Sequence, residues 1–264
     1  MTVRLATWNV NSVRLRLGGL ERLVRARSPD ILCLQETKVA DELFPHAFFR
    51  GLGYPHRAVY GQKGYHGVAV LSRVPLGRPR RREWWGSADA RHVHVQLPGG
   101  ALLHNFYVPA GGDVPDPKQN PKFAHKLGFL AEIAHWFETG RQPARQVLVG
   151  DLNVAPLETD VWSHKQLLTV VSHTPVEVAA LDKLQRARRW VDAVRRFIPP
   201  ERKLYTWWSY RARDWAASDR GRRLDHVWVT PGLARSLRGA EVLREARGWP
   251  QPSDHVPVLV DVDL

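Results

Sequence analysis

Apolar and polar residues alternate from Thr2 to Val10, the two-residue period of a strand. The period then lengthens: Leu17, Leu20 and Val24 share one face, which predicts an amphipathic helix running to Arg27. Pro29-Asp30 interrupts it, and Ile31 to Leu34 reads as a second, buried strand. Strand, helix and strand in that order predict α/β layering. Residues 66–72, 91–97 and 101–108 read as further strands separated by Gly and Pro. Near-alternation in His92-Val93-His94-Val95-Gln96-Leu97 fits a half-buried one. Phe123, Leu127, Leu130, Ile133, Ala134 and Phe137 recur at three and four residues, so a helix is predicted from Lys118 to Glu138. Gln146 to Gly150 is a short buried strand that ends in Asp151-Leu152-Asn153. Helical material at 177–198, a tryptophan-rich loop, a strand from Leu224 to Thr230 and two last strands at 238–245 and 257–263 complete the pattern.

At 264 residues and 44% hydrophobic, the chain can bury a sizeable core. No linker-like stretch, repeat or low-complexity tract divides it, so one domain over residues 1–264 is expected. The opening segment carries Arg4 and lacks the apolar run of a secretory signal or membrane span, which predicts a cytoplasmic protein, nucleoid-associated in a prokaryote. One cysteine allows no internal disulfide, and Cys33, inside an apolar run, reads as an inert core residue. The net charge of +13 changes the picture more, because such an excess favours a polyanion as partner. The basic clusters at 78–82 and 186–189 are short and read as solvated faces.

Polar groups stand at the ends of the apolar strands. Asn9 and Asn11 follow the first, Gln35-Glu36 the second and Asp151 with Asn153 a later one, while Asp254-His255 precedes the last. Loops converge at strand ends in layered α/β folds, so a shared site is plausible there. Glu36, Asp151 and Asp254 are hard oxygen donors, and Asn9 and Asn153 add amide oxygens, a set suited to Mg²⁺ or Mn²⁺. His92 and His94 would share one strand face, but no third ligand is motif-spaced with them, and they read as surface or DNA-facing residues. Ser253-Asp254-His255 lacks a G-x-S-x-G elbow, and the glycines around Lys63 lack phosphate-loop spacing.

Thr7-Trp8-Asn9-Val10-Asn11-Ser12, Leu34-Gln35-Glu36-Thr37-Lys38, Gly64-Tyr65-His66-Gly67-Val68-Ala69 and Asn105-Phe106-Tyr107-Val108-Pro109 follow one another along the chain. After them come Val149-Gly150-Asp151-Leu152-Asn153-Val154-Ala155-Pro156, Arg223-Leu224-Asp225 and Ser253-Asp254-His255-Val256-Pro257-Val258. This ordered set spans nearly the whole chain and resembles the exonuclease III family of abasic-site endonucleases and exodeoxyribonucleases. The resemblance implies a DNase I-like α/β fold, a four-layer sandwich of two packed mixed β-sheets flanked by helices. It implies Mg²⁺-dependent hydrolysis of DNA 5′ to abasic sites and trimming of 3′ ends, by a monomer that acts on abasic or 3′-damaged duplex and not on a membrane. Glu36 would be the principal metal ligand, assisted by Asn9, with Asp254 as a further candidate. Asp151 would orient or deprotonate the attacking water, Asn153 would bond the phosphate or that water, and Tyr107 would place its phenol beside the phosphate. His255, oriented by Asp225, would contact the same group, and either His255 or Asp151 would serve as the base.

Tyr205-Thr206-Trp207-Trp208-Ser209-Tyr210-Arg211 resembles the family loop beside the abasic pocket. Aromatic faces suit a flipped-out sugar or unstacked base, and arginine neutralises phosphate, so Trp207, Arg211 and Leu224 are pocket candidates. Trp8, by contrast, reads as core. The chain departs from the family twice. Ala110 stands where many relatives carry Asn or Gln, and Arg222 where some carry a bulky apolar residue, so Arg222 either wedges into the gap of an abasic nucleotide or grips backbone. A lipid-headgroup phosphodiesterase of the same superfamily and a catalytically silent DNA-binding module are the rivals. The basic tryptophan loop argues against the first and the intact polar set against the second.

Overall fold

Both faces of the early strands are apolar because both are covered. The computed structural model describes residues 1–264. Its strands are β1 (Thr2–Asn9), β2 (Ile31–Gln35), β3 (His56–Tyr60), β4 (Val68–Ser72), β5 (Arg80–Arg81), β6 (His92–Gln96) and β7 (Leu102–Tyr107). They continue with β8 (Gln146–Asp151), β9 (Val191–Asp192), β10 (Trp207–Trp208), β11 (Gly221–Arg222), β12 (Asp225–Val229), β13 (Leu237–Val242) and β14 (Val258–Asp263). The helices are α1 (Leu17–Arg27), α2 (His46–Gly51), α3 (Pro121–Thr139), α4 (His164–Leu167), α5 (Pro175–Ala187) and α6 (Trp215–Ser218). One six-stranded sheet runs β13-β14-β1-β2-β4-β3, the other β5-β6-β7-β8-β12-β9, and β10-β11 form a small ribbon.

Strand alternation sorts the side chains into layers. Val3, Leu5, Ile31 and Cys33 of the first sheet meet Val93, Leu103, Val147, Val149 and Val227 of the second in the central core. Ala6, Trp8, Leu32 and Leu34 point the other way, onto Leu20, Leu23 and Val24 of α1 and Phe49 of α2. Phe106, Leu148 and Trp228 likewise face Phe129, Leu130, Ile133 and Phe137 of α3 and Leu181 and Leu184 of α5. The result is helix, sheet, sheet, helix, the expected four-layer sandwich. Burying each such large side chain contributes about 1.5–3 kcal/mol. Cys33 is fully buried, and that burial raises its thiol far above the ordinary range, so it is an inert core residue.

Local signals place the ends of the elements. Pro121 opens α3, and the Asn120 side chain caps it by accepting from the Lys122 amide, so the helix starts later than its periodicity predicts. The helix predicted within 177–198 stops at Ala187, and Arg189 turns the chain with a φ of +54° into β9. The edge strand β3, His56-Arg57-Ala58-Val59-Tyr60, alternates too weakly to be read from sequence. His92 is not a surface or DNA-facing residue: it lies fully buried on the outer face of β6, beneath α3, with His94 half-buried beside it.

Between the sheets, near the ends of β2 and β7, the core turns polar. Gln35 Nε2 donates to Asn105 Oδ1 at 2.7 Å and to Thr7 Oγ1 at 2.9 Å. Asn105 Nδ2 in turn donates to the Leu34 and Ala69 carbonyls, both at 3.0 Å. These bonds pin one sheet to the other immediately beneath the loops that carry the site.

Candidate active site

The alternation that fills the core with Val147, Val149 and Val227 brings Tyr107, Asp151 and Asp225 to the same inter-sheet face at the strand ends. Register then gathers them. Tyr107 lies opposite Asp151 on parallel β7 and β8, Asp225 opposite Asp151 on antiparallel β12, and Asn9 opposite Gln35 on parallel β1 and β2. Because β14 runs antiparallel to β1, with Val258 opposite Thr7, the preceding Asp254-His255 falls at the same end. Gly150 is required here. Its φ is +136°, and a Cβ would collide with the Phe106 carbonyl as β8 brings Asp151 alongside β7.

At the centre, Asn9 Nδ2 donates to Glu36 Oε1 at 2.8 Å and to Asp151 Oδ2 at 2.9 Å. Its Oδ1 accepts the Asn11 amide at 3.0 Å, which settles which way the carboxamide points. Asn9 therefore turns nitrogen, not oxygen, toward the carboxylates and holds them apart, instead of offering the oxygen donor expected of a metal ligand. Asn153 donates to Asp151 twice, from its amide at 2.9 Å and its Nδ2 at 3.1 Å. His255 Nδ1 donates to Asp225 Oδ2 at 2.8 Å, leaving Nε2 3.7 Å from Asp151 Oδ2. Donor atoms of Glu36, Asp151 and His255 all lie within 4.8 Å of one another. The backbone is strained where it serves this cluster: Asn11, Glu36, Lys38 and Asn153 have φ of +44°, +51°, +54° and +54°. Each costs about 1 kcal/mol or more, which the surrounding hydrogen bonds offset.

Charge follows from this packing. Burial pushes the Asp151 carboxyl up to about 7, against the pull of His255. Burial alone would lower His255, but the Asp225 and Asp151 carboxylates raise it to about 10. Partial burial alone would raise the half-buried Glu36, yet Lys38, 2.8 Å from its Oε2, and the Asn9 amide hold it below the usual carboxylate range. Tyr107 is raised well above an ordinary phenol by burial and by the negative Glu36 and Asp151, so it stands as a neutral O–H donor.

A cavity of about 590 Å³ opens beside the cluster, with Glu36, Tyr107, Asp151, Asn153 and His255 on one wall and Trp207, Arg211, Arg220, Arg222 and Leu224 on the other. All four expected pocket residues line it, as does Ala110. The ribbon pairs Trp207 with Arg222, and Trp207 also bridges His255, so backbone pairing ties the pocket residues to the histidine. The Arg222 guanidinium lies 5.2 Å from the Trp207 ring and donates to the Val171 carbonyl at 2.9 Å and to Ser172 Oγ at 2.8 Å. It lines the cavity and grips the Val171 carbonyl and the Ser172 hydroxyl. Asp254 differs from the expected ligand: Oδ1 accepts from Asn11 Nδ2 at 3.0 Å and Oδ2 from Trp207 Nε1 at 2.9 Å. It ties the first loop to the pocket and stands outside the Glu36–Asp151–His255 group. Sequence reasoning missed two supports, Lys38 against Glu36 and the buried Lys126 beneath Asn153. Lys38 closes the motif Leu34-Gln35-Glu36-Thr37-Lys38, whereas Lys126 carries no signal beyond being charged on the apolar face of a helix.

A two-sheet sandwich whose strand ends present buried carboxylates, amides and a cationic histidine to an arginine-lined cavity defines a phosphoester hydrolase. The chain belongs to the Endonuclease/Exonuclease/phosphatase family, whose model matches residues 6–255. It is 30% identical to exodeoxyribonuclease III of Haemophilus influenzae, over 98% of this chain and 99% of that protein. Among solved structures it is similar to an AP endonuclease from Archaeoglobus fulgidus, with a TM-score of 0.91 and 30% identity over 99% of this chain and all of the other. The 3′ phosphatase NExo from Neisseria, bound to product DNA hairpin, matches equally well, with a TM-score of 0.91 and 30% identity over 99% of this chain and 100% of that chain.

Proposed function

We propose that residues 1–264 form one monomeric nuclease that hydrolyses the DNA backbone 5′ to abasic sites and trims 3′ ends, with Mg²⁺ held chiefly by Glu36. The carrying observation is that Glu36, Asp151 and His255, remote in sequence, meet within 4.8 Å at the mouth of an arginine- and tryptophan-walled cavity. The donor chemistry suits the ion: Glu36 stays ionised, and hard oxygens favour Mg²⁺ or Mn²⁺ over softer metals. Held there by Glu36, a divalent ion would supply positive charge to offset that of the phosphate. Asp151, buried and kept weakly acidic, takes the proton of the attacking water, and Asn153 orients it. His255, a cation at neutral pH, and the neutral Tyr107 donate hydrogen bonds to the phosphate. Trp207 and Leu224 receive the extruded sugar, and Arg211 neutralises neighbouring phosphate. No helix is long and apolar enough to cross a membrane. We place the enzyme in the cytoplasm, on chromosomal DNA.

The deciding experiment offers labelled duplex carrying one abasic site, alongside intact blunt duplex, with Mg²⁺ or EDTA. Incision at the lesion and shortening of the blunt 3′ end, both abolished by EDTA, are expected. Hydrolysis of a lipid headgroup with both duplexes untouched overturns the reading. Affinity for duplex is also expected to fall at least about tenfold between about 50 and 200 mM salt, because phosphate contacts release counterions. A flat response removes the arginine wall from DNA contact.

The histidine carries a pH signature. Its folded pKa, about 10, lies above that of a free imidazole, about 6.5, so its contribution to stability is complete below the lower value and vanishes as pH climbs through the upper. Asp225→Asn is expected to bring the alkaline limb of the cleavage profile down by about one pH unit or more. An unmoved limb would show that the cation at work is not His255.

A further inference from the structure

On the opposite face of the second sheet from Tyr107 and Asp151, three histidines form a group that the catalytic reading does not use. His92 and His94 lie two apart on β6, hence on one face, and His104 stands directly across from His94 on antiparallel β7. The three imidazole centroids form a nearly equilateral triangle, with separations of 5.2, 5.3 and 5.4 Å. One donor nitrogen from each lies within 4.8 Å of the other two.

The geometry points to a second metal site, a three-histidine centre for a divalent ion of the Zn²⁺ class. Three observations carry it. First, His92 Nε2 and His104 Nδ1 are 3.2 Å apart, and two nitrogens on one tetrahedral zinc, with bonds of about 2.0–2.1 Å, stand about 3.3 Å apart. Second, His92 and His104 are fully buried, yet His92 Nδ1, His94 Nδ1 and His104 Nε2 have no hydrogen-bond partner. If the three rings were merely core packing, the second N–H of the His92–His104 pair would have only the Gln146 carboxamide beside it, and His92 Nδ1 and His94 Nδ1 would stay bare. Third, the rings are pre-positioned. His92 stacks on Phe106 at 3.9 Å and 3°, Trp136 packs across the group from α3, and the Gln146 carboxamide stands beside His104 as an outer partner.

The protonation state agrees. Burial lowers all three imidazoles, and their mutual repulsion adds to it for His92 and His104, so they are neutral at pH 7, as ligation requires. His94 is half-buried and leaves an entry path. Arg80 and Arg82 stand near it, so the fourth position suits a hydroxide or another anion. Three imidazoles without a carboxylate select Zn²⁺, Ni²⁺ or Cu²⁺ over Mg²⁺, so this centre and the catalytic one take different ions. By clamping β6 to β7, it would brace the strand that carries Tyr107.

The test uses the purified full-length protein, stripped with chelator, then given Zn²⁺ or Co²⁺ alone. A Glu36→Gln/Asp151→Asn background removes the catalytic carboxylates from the count. One zinc per chain by mass spectrometry of the gel-filtered protein, the visible absorption of tetrahedral Co²⁺ and a zinc-dependent rise in Tm are expected in that background. His94→Ala and His104→Gln should each weaken zinc at least about 100-fold, beyond what loss of an outer partner alone costs. In the otherwise native chain, His94→Ala, at the half-buried position, is expected to keep the metal-free Tm and the Mg²⁺-dependent cleavage of abasic duplex. Absence of bound zinc from the background protein, or equal zinc in the histidine variants, overturns the site. Neither result bears on the nuclease reading.

Discussion

Asp151→Asn is expected to lower kcat for abasic-site cleavage by about 10³-fold or more, the scale of removing a positioned base together with its electrostatic partner, with DNA affinity retained. The carboxylate sits under three donors, the Asn9 and Asn153 side chains and the Asn153 amide. Its proton affinity is raised because burial opposes its charge. Ionised Asp151 is therefore held in the folded state at a cost in stability. Asparagine keeps the shape, loses the charge and sacrifices a hydrogen bond or two, so the Tm should change little or rise. A collapse of activity with unchanged stability separates a catalytic carboxylate from a structural one. Single-turnover cleavage, duplex binding by anisotropy and thermal melting of the same sample provide the check. Activity within tenfold of the parent removes Asp151 from the chemistry. His255→Gln should push the acidic limb of the residual profile upward, since the cation now pulls the Asp151 pKa down.

Most strands were legible as alternating or short apolar runs that end in polar residues, whereas the sandwich they build was implied by the family resemblance. Once β7, β8 and β12 are known to lie side by side, the two-residue period alone carries Tyr107, Asp151 and Asp225 to one face. Which strands neighbour one another is not a local property, and only the family resemblance supplied it in advance. The pairing of His94 with His104 was invisible for the same reason: a cross-strand ligand has no motif spacing. Asn9 and Asp254 show a different limit. Their residue types fit metal ligands, but the Asn11 amide and the Trp207 indole decide where their oxygens point, and those partners come from folding. Arg222 could not be assigned from sequence because gripping backbone and wedging into DNA need the same side chain; its bonds to Val171 and Ser172 choose the first in the free protein.

Lys126→Met should destabilise the protein by about 3–5 kcal/mol, the range for stranding one partner of a buried ion pair, and lower Tm by about 10 °C for a chain of this size. Lys126 and Glu177 are both fully buried and paired, α3 to α5. The ammonium also donates to the Asn153 carbonyl at 2.7 Å and to the Ala110 carbonyl at 3.3 Å, one on each loop bordering the cavity. Glu177 is equally committed, accepting from the Ser172 amide at 2.9 Å and Thr174 Oγ1 at 2.6 Å as it caps α5. Methionine fills the volume but leaves that carboxylate charged in the core and two carbonyls without a donor. Glu177→Gln added to Lys126→Met removes the stranded charge and should recover a substantial part of the loss, whereas Glu177→Gln alone leaves the ammonium stranded. The signature is then a large coupling energy in a double-mutant cycle of chemical denaturation. Because Asn153 hangs from the same ammonium, cleavage measured well below the Tm should also fall in Lys126→Met. Additive single-variant losses would mean that the pair does not act as a unit, and unchanged cleavage in Lys126→Met would mean that Val108 and Asp151 suffice to hold Asn153.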